Sequence, residues 1–430
     1  MISTRAIAIA FSLSVAAGAF AQTTREEMYA TPEKNGGVYY AYPITESANT
    51  AVPKGYKPFY ISHYGRHGSR YLISDNDYTN VMAVFDKAER DGKLTALGKD
   101  VKMRLDSVWK EARGRGGELS PLGVRQHHGI AQRMYRAFPE VFAGEPEITA
   151  KSTVVMRCAH SMFAFIEALK ELNPKLVIPR ESGERAMNYL NYHSKESGHY
   201  SGHNGPAYVP TKKFRAEKTN SARMMATLFN DPAYIQSTID SDALMWGLYW
   251  VAVDMQNMET PLSFFDLFTA EELFDLWQVF NFDFYSHNCS FPPANGAFTD
   301  NAKNLVTNIV ETADQYIADN KNGATLRFGH DGNIIPLAAL LQLDNAVAWE
   351  SNPDSLYTKY ADFKVSPMGA NLQMILFKNK DGKILAKFML NERETHIPAP
   401  TDNFPYYDWE VARKWLQTVI DTPSAKFIRE

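Results

Sequence analysis

The chain has 430 residues, of which 45% are hydrophobic and 22% charged, and 45 basic against 49 acidic side chains give a net charge of −4. These values are typical of a globular protein with a large core or two domains, and they exclude large-scale disorder. Without a basic tail or a basic–aromatic module, nucleic acid is not a predicted partner. A small anionic substrate is compatible with this net charge if positive charge is concentrated in one cleft.

The first 21 residues have the pattern of a secretory signal. Arg5 gives a positive start, residues 6–20 are apolar, and Ala19-Phe20-Ala21 is a cleavage pattern that places the mature N-terminus at Gln22. The apolar run is short for a membrane span, and no later segment is long enough without charges. We therefore expect a periplasmic or secreted protein without a membrane span. Residues 22–56 are polar and rich in tyrosine, and we expect them to wrap the surface.

The first predicted strand, residues 59–64, ends in the turn Gly65-Arg66-His67-Gly68. Glycine lets a ligand approach the main chain closely, and α/β folds bind ligands where strands end at a sheet edge. The guanidinium groups of Arg66 and Arg70 can bind phosphate oxygens in a bidentate manner, and His67 between them can attack phosphorus. Taken alone, the tripeptide Arg66-His67-Gly68 also fits a buried histidine beside a salt-bridged arginine.

Two helix starts follow, with Thr95 and Ser120 as predicted N-caps. Residues 147–152 predict a second strand, and the next helix, from about Val154, has Arg157 in its first turn. A helix N-terminus carries partial positive charge, so an arginine there is electrostatically out of place unless an anion balances it. Arg157 is therefore a candidate phosphate ligand, and an ion pair with a nearby acid is the alternative.

From Pro174 to about Asn322 the pattern becomes helical and aromatic, which predicts a helical insertion between two parts of an α/β core. One basic segment of this region offers candidates for the substrate periphery, and a solvated charged face is the alternative. These candidates are Lys212, Lys213 and Arg215.

No metal, cofactor or disulfide is firmly indicated. Three histidines of one Gly/Ser-rich loop match no standard metal-ligand spacing: His193, His199 and His203. Export would permit a bridge between the two cysteines, Cys158 and Cys289. Because Cys158 directly follows a candidate site residue, two buried thiols are favoured, and whether the pair joins stays open. We predict neither a metal nor a cofactor.

Strand patterns return at residues 324–328, which end in His330-Asp331 ahead of an apolar helix. Residues 371–378 and 383–390 flank Asn379-Lys380-Asp381-Gly382, a strong hairpin signal. The second of these strands runs into Asn391 and Glu392, where a structural role is at least as well supported as a catalytic one.

The two turns together resemble the histidine acid phosphatases, branch 2 of the histidine phosphatase superfamily. The first motif reads RHGSRYL, with Leu72 where the family has proline, and the second reads HDGNIIPL. SPLGVRQ, residues 120–126, is also similar to a family segment. LNERE, residues 390–394, is similar to a segment of the multiple inositol polyphosphate phosphatases, whereas His-Asp-Gly is closer to the acid phosphatases and bacterial phytases.

The resemblance implies an α/β sandwich core with an inserted, mainly helical second domain. The implied division is a signal peptide (1–21), a discontinuous core (22–165 and 322–430) and the insertion (166–321). Arg66, Arg70, Arg157 and His330 would bind phosphate. His67 would be the nucleophile and Asp331 the proton donor to the leaving group. The nearby cations would lower the pKa of His67 and favour activity on the acid side of neutral.

The function expected from these features is an exported phosphomonoesterase that hydrolyses inositol polyphosphates such as phytate through a phosphohistidine. Two alternatives stay open. One is a broad-specificity acid phosphatase or sugar-phosphate phosphatase, and the other is a catalytically inactive exported ligand-binding protein. The predicted partner is a small phosphorylated anion, and the sequence does not predict the oligomeric state.

Overall fold

The computed structural model describes residues 24–43 and 49–428, so the predicted signal sequence lies outside the described residues. The described strands are β1 (Lys57–Arg66), β2 (Glu147–Ser152), β3 (Arg180–Ser182), β4 (Gly323–Gly329), β5 (Asn371–Lys378), β6 (Ile384–Leu390), β7 (Arg393–Glu394) and β8 (Tyr406–Asp408). They form one sheet in the order β3-β2-β4-β1-β5-β6-β7, with β8 paired to β6. The four strands β3, β2, β4 and β1 are parallel, and β5 begins an antiparallel part.

Helices account for most of the remaining described chain. Residues 24–30 are helical and a 3-10 helix covers Pro32–Tyr39. The further α-helices are α1 (Asp75–Arg90), α2 (Ala96–Ala112), α3 (Pro121–Ala137), α4 (Met156–Leu172), α5 (Met187–Leu190), α6 (Lys195–Ser201), α7 (Tyr208–Lys218), α8 (Ala222–Leu228), α9 (Pro232–Thr238), α10 (Ser241–Asp254), α11 (Ala270–Asn288), α12 (Lys303–Ala318), α13 (Asp331–Leu340), α14 (Pro353–Leu356), α15 (Asp362–Val365) and α16 (Trp409–Asp421).

Local sequence signals account for several element ends. The predicted N-caps are confirmed, because the hydroxyls of Thr95 and Ser120 accept hydrogen bonds from the N–H of the third residue of α2 and of α3, at 3.0 and 3.3 Å. The predicted hairpin is also confirmed: β5 and β6 pair antiparallel, and Asn379 Oδ1 accepts the N–H of Lys383 at 2.9 Å to close the turn.

Alternate side chains of the strands face two different helical layers. On one face, Ile61 and Ile375 pack with Ile130 of α3 and Phe165 of α4. On the other face, Tyr60 belongs to a larger apolar cluster that also takes in α10, α11, α12 and α13. The sheet is therefore the middle layer of an α/β sandwich, as expected, and the helical region shares a core with one of its faces.

Residues 22–56 do not lie on the surface throughout, so that expectation was wrong for part of the segment. Val38, Tyr39 and Tyr42 are buried, and Tyr39 belongs to the main apolar cluster. Tyr39 and Tyr42 are amphipathic: their rings are buried, and their hydroxyls bind Arg70 and Glu392. The polar composition of residues 22–56 therefore did not indicate the structural role of these tyrosines.

The division into a core and an inserted domain stays a prediction. The predicted boundary at residue 166 falls inside α4, and β3 lies beyond it in the central sheet. Between β3 and β4 the described elements are helical. Within residues 24–43 and 49–428, no helix is both long and apolar enough to cross a membrane.

Candidate active site

The carboxyl ends of β1, β2 and β4 meet at one edge of the sheet. Arg66 at the end of β1 is opposite Gly329 at the end of β4, and Ser152 at the end of β2 is opposite Phe328. Parallel strands place their following turns on the same side, so the two motifs of the sequence come together there. The N–H of His67 donates to the carbonyl of Gly329 at 2.9 Å.

Gly329 leaves room for the tyrosine that holds one of the two site histidines. The ring centroids of His67 and His330 are 5.8 Å apart. The hydroxyl of Tyr64 donates to the carbonyl of Leu190 and accepts the N–H of His330, at 3.1 and 3.3 Å. A Cβ atom at residue 329 would lie 2.1 Å from this hydroxyl, so only glycine leaves room for it. Tyr64, which the sequence marked only as a strand residue, therefore positions His330.

His67 is neutral, and one of its nitrogens is available for attack. Its Nδ1 lies 2.9 Å from the carbonyl oxygen of Gly68. Because a carbonyl only accepts, Nδ1 carries the proton and Nε2 keeps a lone pair. Burial, followed by the charges of Arg66, Arg157 and Arg70, lowers the pKa of His67 well below the ordinary value of 6.5.

Arg66 is fully buried and is held by fixed acceptors. Its Nη1 donates to the carbonyls of Val38 and Ser366, and its Nη2 lies 2.6 Å from Asp331 Oδ2. Burial raises the pKa of Asp331, but Arg66 and, to a smaller extent, His330 lower it, and the net pKa lies below the ordinary value of 3.8. Asp331 is therefore ionised in mild acid while it is paired with Arg66.

Arg70 is held by Tyr39, a residue that the sequence analysis did not identify as part of the site. Its Nη1 donates to the carbonyl of Tyr71 at 2.8 Å, and its Nη2 donates to the hydroxyl of Tyr39 at 3.0 Å. The guanidinium carbon lies 4.6 Å from the ring centroid of Tyr39. No local pattern could reveal this contact, because the two residues are 31 positions apart in the chain.

Arg157 lies in the first turn of α4 and is partly buried. Among the described residues no acidic side chain forms an ion pair with it, which removes the alternative of a structural salt bridge. Burial is the main reason that the pKa of this guanidinium is lowered. The helix N-terminus contributes further positive potential at this position, and anion binding by Arg157 stays a prediction.

The three arginines share an unpaired donor, a feature that Arg25 and Arg104 also have. In Arg66, Arg70 and Arg157 the Nε atom is buried and has no hydrogen-bond partner among the described residues. A buried donor without an acceptor costs about 1–3 kcal/mol. Three such donors on cations around one histidine indicate a site built for an anion with several oxygen atoms.

His330 is partly buried beside Thr153 and Cys158. Its Nε2 lies 3.1 Å from the hydroxyl of Thr153, and the thiol sulfur of Cys158 lies 3.6 Å from it. Burial lowers the pKa of His330 to about 4. The same thiol donates to the carbonyl of Gly329 at 3.1 Å. Cys158 and Cys289 are both buried free thiols, so the open question about a disulfide is answered against one.

A cavity of about 400 Å³ opens onto these groups. His67 itself is only 1% exposed, yet its ring forms part of the cavity wall. The residues lining this cavity are Tyr39, His67, Arg70, Leu72, Ile73, Asp77, Arg157, Trp250, Phe280, Phe284 and Asp331. The catalytic side of the cavity is therefore cationic, and the helices α10 and α11 supply an aromatic side.

The basic candidates on α7 separate into two groups. Lys212 and Arg215 line a second, smaller cavity, whereas Lys213 points elsewhere and lies 3.6 Å from Glu217. The loop with His193, His199 and His203 gives no metal site: among residues 24–43 and 49–428, no group of three or more His, Cys, Asp or Glu side chains could hold a metal ion.

Asn391 and Glu392 form a structural turn. Both adopt positive φ angles, 52° and 62°. Asn391 Oδ1 accepts the N–H of Asn371 at 3.0 Å, and Glu392 accepts from Arg133 at 2.7 and 2.9 Å. The hydroxyl of Tyr42 also donates to Glu392, at 2.9 Å. These contacts tie β5 and β6 to α3, and they favour the structural role.

Residues 65–391 match the family model of the histidine phosphatase superfamily (branch 2), which covers most of the chain. The chain therefore belongs to the histidine phosphatase superfamily, branch 2. The expectation of a histidine acid phosphatase enzyme with the corresponding α/β fold is confirmed. No curated protein sequence matches the chain.

Several solved structures share the fold. The multiple inositol polyphosphate phosphatase of Bifidobacterium longum, in complex with inositol hexasulfate, has a TM-score of 0.76 at 18% identity, over 89% of this chain and 97% of that chain. The phytase from D. castellii has a TM-score of 0.69 at 15% identity, over 90% and 85%. The Hafnia alvei phytase, in its apo form, has a TM-score of 0.53 at 14% identity, over 87% and 99%.

Proposed function

We propose that this chain is an exported phosphomonoesterase that hydrolyses inositol polyphosphates through a phosphohistidine on His67. The observation that carries the proposal is the neutral imidazole of His67, with Nε2 unprotonated, among three guanidinium groups whose Nε donors are unpaired. A phosphomonoester resists attack because its negative charge repels nucleophiles and its alkoxide is a poor leaving group. The cations address the first difficulty, and Asp331 addresses the second.

The reaction proceeds in two steps. In the first, Nε2 of His67 attacks phosphorus, the N–P bond forms as the ester P–O bond breaks, and the proton of Asp331 passes to the leaving alkoxide. In the second, water attacks the phosphohistidine and gives a proton to Asp331. The N–P bond then breaks, which releases inorganic phosphate and restores both side chains.

Asp331 needs a proton before it can act as the acid. Its pair with Arg66 at 2.6 Å keeps it ionised in the free enzyme. A phosphate group bound to Arg66 competes for that cation and adds negative charge, and both effects raise the pKa of Asp331. The second pKa of a phosphate group is about 6, so in mild acid the substrate itself brings the missing proton.

Replacing the nucleophile should abolish turnover. We expect His67→Ala to lower kcat by about a thousandfold or more, because neither the N–P intermediate nor an equivalent base remains. Wild-type protein that is denatured during turnover should carry acid-labile phosphate, and His67→Ala should carry none. His160→Ala is the matched control, since His160 is exposed on α4. Full turnover by His67→Ala would reject the mechanism.

The role of Asp331 should depend on the leaving group. We expect Asp331→Asn to lose about 10²- to 10⁴-fold in kcat on an alkyl phosphate but far less on 4-nitrophenyl phosphate, whose phenolate leaves without a proton.

The pH profile of the wild type should follow the same protonation. The lowered pKa of His67 keeps Nε2 unprotonated in mild acid. The proton for the leaving group is lost as pH rises, so kcat/KM on the alkyl phosphate should fall above about pH 6. Equal losses of Asp331→Asn on both substrates, or an optimum well above neutrality, would contradict the assignment of Asp331.

Inositol polyphosphates are the proposed substrates because the neighbours of similar fold include a multiple inositol polyphosphate phosphatase and phytases. The aromatic side of the cavity favours a second candidate, a phosphatase for sugar phosphates or other monoesters with an apolar face. The ratio of kcat/KM on phytate to that on glucose 1-phosphate separates the two. We expect this ratio to exceed one, and a ratio well below one would favour the second candidate.

Export is the remaining part of the proposal, and its support is the sequence pattern of residues 1–21. We expect the mature protein to begin at Gln22, because Ala19-Phe20-Ala21 fits signal-peptide cleavage. N-terminal sequencing of protein recovered from the periplasm or the medium would test this, and mature protein that still begins at Met1 would contradict it.

A further inference from the structure

The loop that follows β1 carries a buried serine whose polar groups are all bonded. Gln126 of α3 binds Ser69 twice: the Ser69 N–H donates to Oε1, and Nε2 donates to the Ser69 hydroxyl, both at 2.8 Å. The carbonyl of Ser69 accepts the N–H of Ser120 at 2.9 Å. The hydroxyl has one proton to donate, and its acceptor is Oδ1 of Asn257 at 2.7 Å.

Asn257 connects this loop to a second part of the site. It ends the 3-10 helix Met255–Asn257, which directly follows α10, and it is fully buried. Its Nδ2 donates to the backbone carbonyl of Tyr39 at 3.0 Å, and a longer contact of 3.4 Å joins it to Oδ1 of Asp254. Because a backbone carbonyl only accepts, the amide nitrogen of Asn257 faces Tyr39 and the amide oxygen faces Ser69.

Tyr39 completes a closed hydrogen-bond path. Its hydroxyl accepts Nη2 of Arg70 at 3.0 Å, and its ring centroid lies 4.6 Å from the guanidinium carbon. The path therefore leaves the loop at Ser69, passes through Asn257 and returns to the loop at Arg70. Because Nη1 is bonded to the carbonyl of Tyr71 and Nη2 to this hydroxyl, the guanidinium has a fixed orientation. Its Nε atom, which has no partner among the described residues, then has a fixed direction as well.

A second buried contact holds the other side of the same loop. The N–H of Leu72 donates to the hydroxyl of Tyr78 on α1 at 3.0 Å, and this hydroxyl donates to Oδ2 of Asp254 at 2.8 Å. Burial lowers the pKa of Arg70, but Tyr39 and Asp254 outweigh burial and raise the net pKa. The chain on both sides of Arg70 is therefore tied to the end of α10 and to the residues that follow it.

We propose that Ser69 and Asn257 are positioning residues that orient Arg70 for the phosphate group through Tyr39. Arg70 and Tyr39 line the catalytic cavity, whereas Ser69 and Asn257 lie behind them and are not part of its lining. Their effect on a bound anion must therefore pass through Arg70. The helical region then does more than form one side of the cavity, because its Asn257 fixes one cation of the phosphate pocket. This inference rests on the proposed phosphatase function and names the contacts that orient one of its ligands.

The test removes the two ends of the path separately. Ser69→Ala deletes the hydroxyl that joins Gln126 to Asn257. Tyr39→Phe deletes the acceptor of Arg70 and leaves the bonds of Ser69 and Asn257 intact. We expect each variant to raise the inhibition constant of inorganic phosphate about tenfold and to lower kcat/KM on 4-nitrophenyl phosphate by about the same factor, which corresponds to one charge-assisted contact.

The background variant Arg70→Gln distinguishes positioning of this arginine from general loosening of the site. If Ser69→Ala and Tyr39→Phe act by orienting Arg70, each should change both values less than about twofold when it is added to Arg70→Gln. Equal losses in the wild-type and Arg70→Gln backgrounds would overturn the inference, and so would wild-type kinetics in Ser69→Ala. If Ser69→Ala does not fold, the same comparison with Tyr39→Phe decides.

Ser424→Ala is the matched control for the loss of a buried hydroxyl. Ser424 is fully buried, and its hydroxyl lies 2.6 Å from that of Thr299. We expect this variant to lower the melting temperature, as Ser69→Ala does, and to leave both kinetic values within about twofold of the wild type. Kinetic losses in Ser424→Ala as large as those in Ser69→Ala would attribute the effect to stability alone and would overturn the inference.

Binding of inorganic phosphate, measured by calorimetry, separates this inference from the proposed function, because binding does not require hydrolysis. If both variants weaken binding only while Arg70 is present, and no ester is hydrolysed, the positioning role stands and the phosphatase function falls. If esters are hydrolysed and both variants behave as the wild type does, only the positioning role is overturned. A wild type that neither binds phosphate nor hydrolyses esters would overturn both.

Discussion

The parallel pairing of β1 with β4 is the constraint on which the site depends. Its register sets Arg66 opposite Gly329. The residue that follows each strand, His67 or His330, is a histidine of the site. A slip of one residue would reverse the direction of every following side chain, so the register and the chemistry are fixed together. Gly329 completes this constraint, because any larger residue would displace the hydroxyl of Tyr64 that holds His330.

The buried cations of the site perform two functions through the same charge. Burying a guanidinium without a full set of partners is costly. Among residues 24–43 and 49–428, Arg66 alone of the three is paired with a carboxylate, whereas Arg70 has a phenol and Arg157 has neither. The cost is tolerable because a bound anion would supply the missing partners. The same charges disfavour the imidazolium of His67, so a pocket charged to attract phosphate would also keep the proposed nucleophile neutral.

The sequence predicted the elements that carry strong local signals. The turn at Arg66-His67, the caps Thr95 and Ser120 and the hairpin at Asn379 depend on neighbours within a few residues, and the structure has them as expected. The prediction that the two motifs lie close together came from the family resemblance, since β1 and β4 are more than 250 residues apart in the chain. The role of Tyr39 could not be predicted, because the polar composition of its segment does not indicate that this tyrosine is buried against Arg70. The four cations of α7 also look alike in sequence, and only packing shows which pair faces a cavity.

Chemistry and substrate choice come from different layers of the molecule. The sheet edge supplies His67 and Arg66, whose positions are fixed by strand pairing and by carbonyl acceptors. The helices α10 and α11 supply Trp250 and Phe280, which form the wall between the two cavities. Because these helices line the cavities and take no part in the sheet, substitutions on them can change the shape of the aromatic wall without disturbing the strand register. Under the proposed function, the leaving group would be selected by a surface that can vary while the proposed phosphate pocket stays fixed.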